Sequence, residues 1–333
     1  MSRYDIYAIG NALVDVEYRV DAEELPGLGI DKGVMTLVDA ERQEALMAAL
    51  AEREVHRSAG GSAANTVIAV AQFGGSGFYS CRIGDDALGR IYAEDLATNG
   101  VATNAREHAE SGDTGRCLVL VTPDADRTMQ TYLGITGDLG PEAVAPHAIA
   151  AADWLYVEGY LATSPAARAA VERARQVAAE AGTRSAISLS DPNIVHHFGD
   201  ELQAMIGPGI DFVFANEDEA LGLSGAKGLG DAIEWLRRMA REFAITRGAQ
   251  GAVVYDGSRL HEIPAPRVTP VDTVGAGDMF AGAFLHARAR GCDHATAGAF
   301  ASTAASRIIT EYGPRFRPGV ADEVAAELPL PQG

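Results

Sequence analysis

Lysine is almost missing from this chain: Lys32 and Lys227 are the only two among 333 residues. Neither follows a glycine, which excludes the glycine–lysine pair of a Walker A phosphate loop. Arginine or a bound cation must then supply whatever positive charge a phosphate site needs. Basic residues are scarce overall, and the net charge of −19 argues against a nucleic-acid or anionic-membrane partner, since both require a basic surface. Cysteine is limited to Cys81, Cys117 and Cys292, an odd and widely spaced set that makes no disulfide framework and fits a reducing compartment. The N-terminus, "MSRYDIYAIG", puts Tyr4 and Asp5 where a secretory signal needs an apolar stretch. No apolar run approaches the ~18 residues of a membrane span. A cytoplasmic protein without a membrane partner is expected. A dinucleotide fingerprint is also missing: Gly275-Ala276-Gly277 has Phe280 where the third glycine belongs, and Gly27-Leu28-Gly29 has Lys32 there.

What is present is an alternation of strand and helix patterns over most of the chain. "YDIYAIG", "GFYSCRIG", "WLYVEGY", "SAISLS", "DFVFAN", "FAITRG" and "GAVVYDG" read as strands. Between them, "DAERQEALMAALA", "GGSAANTVIAVAQFGG", "DDALGRIYAEDLATNG", "SPAARAAVERARQVAAEAG" and "EDEALGL" read as helices with polar or glycine ends. Two more helices close the chain, from "GAGDMFAGAFLHARARG" and "ATAGAFASTAASRIIT". Such alternation predicts an α/β domain with a mainly parallel sheet covered on both faces. From about 101 to 135 the helix pattern gives way to β pattern, with "TPDADR" as a turn. That stretch predicts a small sheet outside the main one.

Four short stretches carry the chemistry. In "DTVGAGDMFAGAF" a carboxylate, Asp278, follows Gly275-Ala276-Gly277 at the first turn of a helix. The helix dipole holds such a carboxylate ionised, and the amides before it are placed to grip an anion. An ordinary glycine turn with an aspartate cap fits the same letters. In "GGSAANT", Gly60 and Gly61 let a ligand approach the backbone, and Asn65 can donate and accept towards hydroxyls. In "NEDE", Asn216 ends a strand, and Glu219 three residues on is placed to reach Mg²⁺ or its waters; a helix-capping box has the same spelling. In "TRGAQG", Thr246, Gly248 and Gly251 form a strand end and glycine turn suited to a nucleotide lying on the sheet edge. A base beside an anion cradle points to phosphoryl transfer. His196-His197 invites a metal reading, but adjacent helical residues share no face and no third ligand is nearby.

On these four stretches, in this order, the chain resembles the PfkB or ribokinase-like family of carbohydrate and nucleoside kinases. The resemblance implies a Rossmann-type three-layer α/β/α core with a small β-sheet lid. The core is expected over 1–10, 39–100 and 136–333, and the lid over 11–38 and 101–135. It implies Asp278 as general base and the amides of Gly275, Ala276, Gly277 and Asp278 as an anion hole. Asp15, Gly61 and Asn65 are implied as holders of substrate hydroxyls. Asn216 and Glu219 are implied around phosphate and Mg²⁺, and Thr246, Gly248 and Gly251 around ATP. Asp272 and the Val274 carbonyl resemble one side of a monovalent-cation (K⁺) site. "GNALVD", "YVEGYLATSP" and "SLSDPN" look like the adenosine-kinase branch, whose lid arginine Arg127 resembles. Period-two alternation puts Arg127, Met129, Thr131 and Leu133 on one face of the lid. Leu13, Met129 and Leu133 would then form an apolar wall for a base, with Asn11 as a polar contact. Core packing within the lid is the competing reading for that wall. An ATP-dependent adenosine kinase is the leading expectation. The alternatives are a kinase of ribose, fructose or 2-keto-3-deoxygluconate, and a catalytically silent ligand-binding regulator. A monomer or homodimer is expected.

Overall fold

The computed structural model describes residues 3–53, 55–108, 111–123 and 127–331. In chain order the strands are β1 (Tyr4–Ile9), β2 (Leu13–Arg19), β3 (Met35–Leu37), β4 (Val55–Ala59), β5 (Gly77–Ser80), β6 (Ala102–Thr103), β7 (Gly115–Val121), β8 (Arg127–Tyr132), β9 (Ala152–Glu158), β10 (Arg184–Ser188), β11 (Ile210–Asn216), β12 (Ala240–Thr246), β13 (Ala252–Tyr255) and β14 (Leu260–Ile263). The helices are α1 (Ala40–Ala49), α2 (Ser62–Gln72), α3 (Ala87–Thr98), α4 (Pro146–Ala150), α5 (Pro165–Ala181), α6 (Pro192–Ile206), α7 (Glu217–Ser224), α8 (Leu229–Met239), α9 (Ala276–Ala289), α10 (His294–Ile308) and α11 (Val320–Glu327).

The large sheet runs β14-β13-β12-β11-β10-β9-β1-β5-β6. It is parallel from β12 to β6, and β13 and β14 are antiparallel additions. Both its faces are buried, and alternate residues of one strand serve different cores. Ile6 and Ala8 of β1 pack with residues of α2, α9 and α10, whereas Tyr7 and Ile9 pack with residues of α4, α5 and α6. That two-sided burial accounts for the continuous apolar runs of the strands. It is the three-layer α/β/α arrangement expected from the sequence.

The small sheet has the order β3-β8-β7-β2-β4. One face, with Val14, Val16, Tyr18, Leu118 and Leu120, packs into the core that includes Leu46 and Leu50 at α1 and its end. Residues opposite one another across strands share a face. Asp15, Cys117 and Thr131 therefore line up on the other face, as do Glu17, Val119, Met129 and Met35.

Several elements differ from expectation. Val55–Ala59 pairs with β2 in the small sheet, and Ala102–Thr103 pairs with β5 in the large one. Neither five residues nor two carry enough pattern to choose a sheet. Helices α4, α6, α8 and α11 and strand β14 are further elements beyond those read from the sequence. In α6 the backbone kinks at Phe198, followed by Gly199, which interrupts the helical pattern. Leu133 does not continue the alternation of β8. The strand ends at Tyr132, and Leu133 turns into the right-handed helical region (φ −69°, ψ −26°) ahead of Gly134. Arg127 pairs with Val121 at the start of β8, but its side chain, and so its expected role, lies outside the described residues.

Candidate active site

The parallel strands end on one edge of the large sheet, and the chemistry-bearing residues gather there, at the carboxyl ends where α/β sheets bind ligands. Ile9 lies beside Ser80 and Val157, Glu158 beside Ser188, and Asn216 beside Thr246. Two helices, α2 and α9, open at this edge. Each begins at a glycine with positive φ, Gly61 (99°) and Gly275 (77°), and neither has a capping side chain. Helices α1, α3, α6 and α10, by contrast, are capped by Asp39, Asp86, Asp191 and Asp293. A first turn without its own capping side chain leaves amides and the positive end of the dipole for other groups; in α2 the buried Glu158 takes the Ala63 amide, and α11 also starts uncapped, at Gly319. The two helices cross closely because Gly282 has no side chain: a Cβ there would lie 2.6 Å from the Thr66 carbonyl oxygen.

Asp278 sits where these two first turns meet. Its Oδ1 accepts from the Ser62 hydroxyl at 2.7 Å, and its Oδ2 accepts from Asn65 Nδ2 at 3.1 Å. The Asp278 residue is partly exposed, but its carboxylate is packed densely enough that loss of hydration pushes its pKa up to about 6, against the pull of Ser62, Asn65 and Arg315. A carboxylate held at that value is ionised at neutral pH and still basic enough to accept a proton.

Three connections between the sheets converge beside it, and buried polar groups tie them down. Glu158, the last residue of β9, is 1% exposed. Its carboxylate accepts from the Asn11 amide at 2.7 Å and the Ala63 amide at 2.8 Å. It thereby joins the β1–β2 crossing to the first turn of α2. Desolvation pushes its pKa up to about 7, opposed by those amides. Tyr79 donates to the Asn11 carbonyl at 2.9 Å and Tyr92 to the Gly60 carbonyl at 3.0 Å. Thr136 Oγ1 accepts from the Ala12 amide at 2.9 Å.

The expected hydroxyl-binding residues share this region. Asp15 lies against Gly60, where an added Cβ would come within 2.6 Å of its carboxylate. Gly61 touches Asn11: a Cβ there would be 2.5 Å from the Asn11 carbonyl oxygen. Leu13 and Leu133 flank Gly115, and a Cβ on that glycine would meet both. Met129 stands on the same face of the small sheet as Glu17, one alternate position from Asp15.

The second group lies along the ends of β11 and β12. Asn216 and Glu219 form a reciprocal capping box. Glu219 Oε2 accepts from the Asn216 amide (2.9 Å), Glu219 Oε1 from Asn216 Nδ2 (2.8 Å), and Asn216 Oδ1 from the Glu219 amide (2.8 Å). The helix cap is therefore real, and both Glu219 oxygens are engaged by it. Burial pushes the Glu219 carboxyl up to about 7, with further contributions from the negative charges of Asp191, Asp218 and Asp278 and against the pull of the Asn216 amide. Gly248 and Gly251 have positive φ. Gly251 is needed for packing, because a Cβ would lie 1.9 Å from the Ile263 carbonyl oxygen. Asp272 staples the glycine turn, accepting from the Val274 amide (3.0 Å) and the Gly313 amide (2.9 Å). Among the described residues no cluster of three or more His, Cys, Asp or Glu is shaped to hold a metal, and His196 and His197 are both exposed on α6.

Glu158, Ser62 and Arg315 belong to the site without being among the residues expected there from the sequence. A single acid ending the apolar run of β9 is the one local signal for Glu158. Arg315, in the segment after α10, gave none.

Asp278, Glu158 and Glu219 all have raised values, so the native state holds protons there that the unfolded chain has released. Their stabilising effect is full below the ordinary carboxylate range and is lost as pH rises through about 6 to 7. The melting temperature is therefore expected to fall between about pH 5 and pH 8. Calorimetry across that range checks it, and a rising curve would contradict the assignment.

Residues 30–318 match the pfkB family carbohydrate kinase profile. The chain is 34% identical to the solved adenosine kinase of Sinorhizobium meliloti, with a TM-score of 0.90 over 98% of this chain and 100% of that one. A probable sugar kinase from Rhizobium etli is 33% identical, with a TM-score of 0.89 over 98% and 99%. The adenosine kinase of Saccharomyces cerevisiae is 29% identical over 93% of this chain and 96% of its own length.

Proposed function

Because the chain belongs to the pfkB family of carbohydrate kinases, phosphotransferases with an alcohol group as acceptor, we propose adenosine as its acceptor and AMP as its product. The observation that carries the chemical part is the Asp278 carboxylate, held by Ser62 and Asn65 where two uncapped helix starts converge. In this reading Asp278 takes the proton of the acceptor's hydroxymethyl group. The amides at Gly275, Ala276, Gly277 and Asp278 receive the charge that develops on the phosphoryl oxygens.

ATP with Mg²⁺ is the family's general phosphoryl donor, and the edge formed by Asn216, Glu219, Thr246, Gly248 and Gly251 is its proposed position. Since both Glu219 oxygens serve Asn216, Glu219 would act on the cation through water rather than directly. Mg²⁺ supplies charge neutralisation at the phosphates when bound. Asp272 and the Val274 carbonyl are proposed as one side of a monovalent-cation site. The small sheet is proposed as the lid.

Asp15, Gly61 and Asn65 are proposed to hold ribose hydroxyls, which adenosine and ribose share. Discrimination must then come from the groups around the base: Leu13, Met129 and Leu133, with Asn11 as a polar contact. Burying ~100 Å² of apolar surface at ~25 cal/mol per Å² is worth ~2.5 kcal/mol, or roughly 70-fold. The kcat/KM for adenosine is therefore expected to exceed that for ribose by well over tenfold, measured as ADP release. Met129→Asp should erode that preference by setting a charge against the base. A sugar kinase is the second reading, favoured by the similarity to the Rhizobium etli protein. Equal use of ribose or fructose, or equal weakening of both acceptors by Met129→Asp, would transfer the proposal to it.

A further inference from the structure

The segment after α10 reaches back into the site. Phe316 is anchored to the last turn of α2: its carbonyl accepts from Gln72 Nε2 at 2.8 Å, and its amide donates to Gln72 Oε1 at 3.3 Å. Its ring packs edge-on against Phe73, with centroids 5.9 Å apart. Pro314 lies against the glycine turn, so close that a Cβ on Gly275 would be 2.4 Å from it. Between these two anchors, Arg315 turns inward. Its Nε donates to Asn65 Oδ1 at 3.0 Å, and its Nη1 donates to Asp95 Oδ2 of α3 at 2.5 Å. Its Nη2 is buried without a hydrogen-bond partner among the described residues.

This arrangement leaves Asn65 no choice of orientation. A guanidinium is donor-only, and an ionised carboxylate is acceptor-only. With Arg315 on one side and Asp278 on the other, Asn65 must present its oxygen to Arg315 and its amino group to Asp278. Asn65 thus meets the Asp278 carboxylate as a donor, with its oxygen turned to Arg315. The amide also passes on polarisation, since a charged donor on its oxygen strengthens the bond its amino group makes.

We propose that Arg315 is a positioning residue for phosphoryl transfer: it locks Asn65 as a hydrogen-bond donor onto the Asp278 carboxylate and holds a fixed positive charge behind it. The other charged or titratable groups facing Asp278 are Glu158 of β9, Glu219 of α7, and Tyr156 and Tyr160 at and after the end of β9. None of these supplies positive charge, and the Asp278 charge instead raises the carboxyls of Glu158 and Glu219. Arg315 is the charged group that favours the ionised form of Asp278.

The inference rests on Asp278 being the base, and the test separates the two. The purified full chain, as wild type, Arg315→Gln, Arg315→Lys and Asp278→Asn, is assayed for kcat and kcat/KM from about pH 5 to 9, a span chosen to bracket the value of Asp278. Arg315→Gln removes the charge, so the acid limb of kcat/KM should move about one unit to higher pH, with a plateau roughly tenfold lower. Arg315→Lys keeps the charge but cannot span Asn65 and Asp95, so the limb should return to the wild-type position while the plateau stays low. A merely structural arginine would leave the limb unmoved in the folded Gln variant, and that result overturns the proposal. If Arg315→Gln does not fold, a wild-type plateau in Arg315→Lys overturns it. Wild-type activity in Asp278→Asn would instead remove Asp278 as the base, whatever Arg315 does.

Discussion

Asp278→Asn is expected to lower kcat by at least ~10²-fold while leaving ATP affinity little changed. The substitution keeps the size of the side chain and can still accept the Ser62 hydroxyl on its remaining oxygen. It loses the negative charge and the ability to take a proton. It also sets one amino group against another, because Asn65 already presents its Nδ2 at that position. The residues proposed for the nucleotide, Asn216 and Thr246, pair at the ends of β11 and β12 and make no hydrogen bond to Asp278, so donor binding is expected to survive. In the wild type the acid limb of kcat/KM should lie near pH 6, where Asp278 becomes protonated. Steady-state kinetics of the purified variant decide it: near wild-type turnover would take Asp278 out of the mechanism.

Gly61→Ala is expected to damage both stability and acceptor use. Gly61 has φ 99° and ψ 127°, a region that residues with a Cβ enter only with strain of order 1–3 kcal/mol. The added methyl would also stand 2.5 Å from the Asn11 carbonyl oxygen, which Tyr79 already holds from below. Neither atom is a flexible side-chain end, so the first turn of α2 must shift, and with it Ser62 and Asn65. A shift of ~1 Å at a reacting group costs on the order of 10²-fold in rate. The expected result is a loss of that size in kcat/KM for the acceptor, together with a clearly lower melting temperature. Unchanged kinetics and melting would show that the glycine pair has no positional role.

Part of this site was legible because glycine states its own purpose. "GGSAANT" and "DTVGAGD" place glycine where positive φ is needed, and the structure has Gly61 and Gly275 there with α2 and α9 starting behind them. Asn216 and Glu219 were legible as a pair, since both sit within one helical turn. Glu158 and Arg315 were not. Glu158 meets Asn11 across 147 positions of sequence, and Arg315 meets Asn65 across 250. No local pattern encodes such a meeting, which follows from strand order and from where α10 ends. The same reason covers Val55–Ala59: five residues of strand pattern do not say which sheet they join. The face of Leu133 is not legible for a local reason: β8 ends at Tyr132, and Leu133 already belongs to the turn at Gly134, where period-two alternation no longer holds.

Phosphoryl transfer from ATP to the hydroxymethyl group of adenosine is the proposed reaction. Incubating the purified chain with ATP, Mg²⁺ and adenosine, and identifying products by mass spectrometry, tests it most directly. AMP and ADP are expected in equal amounts, with AMP formation lost in Asp278→Asn. Absence of AMP alongside efficient phosphorylation of ribose or fructose would contradict it.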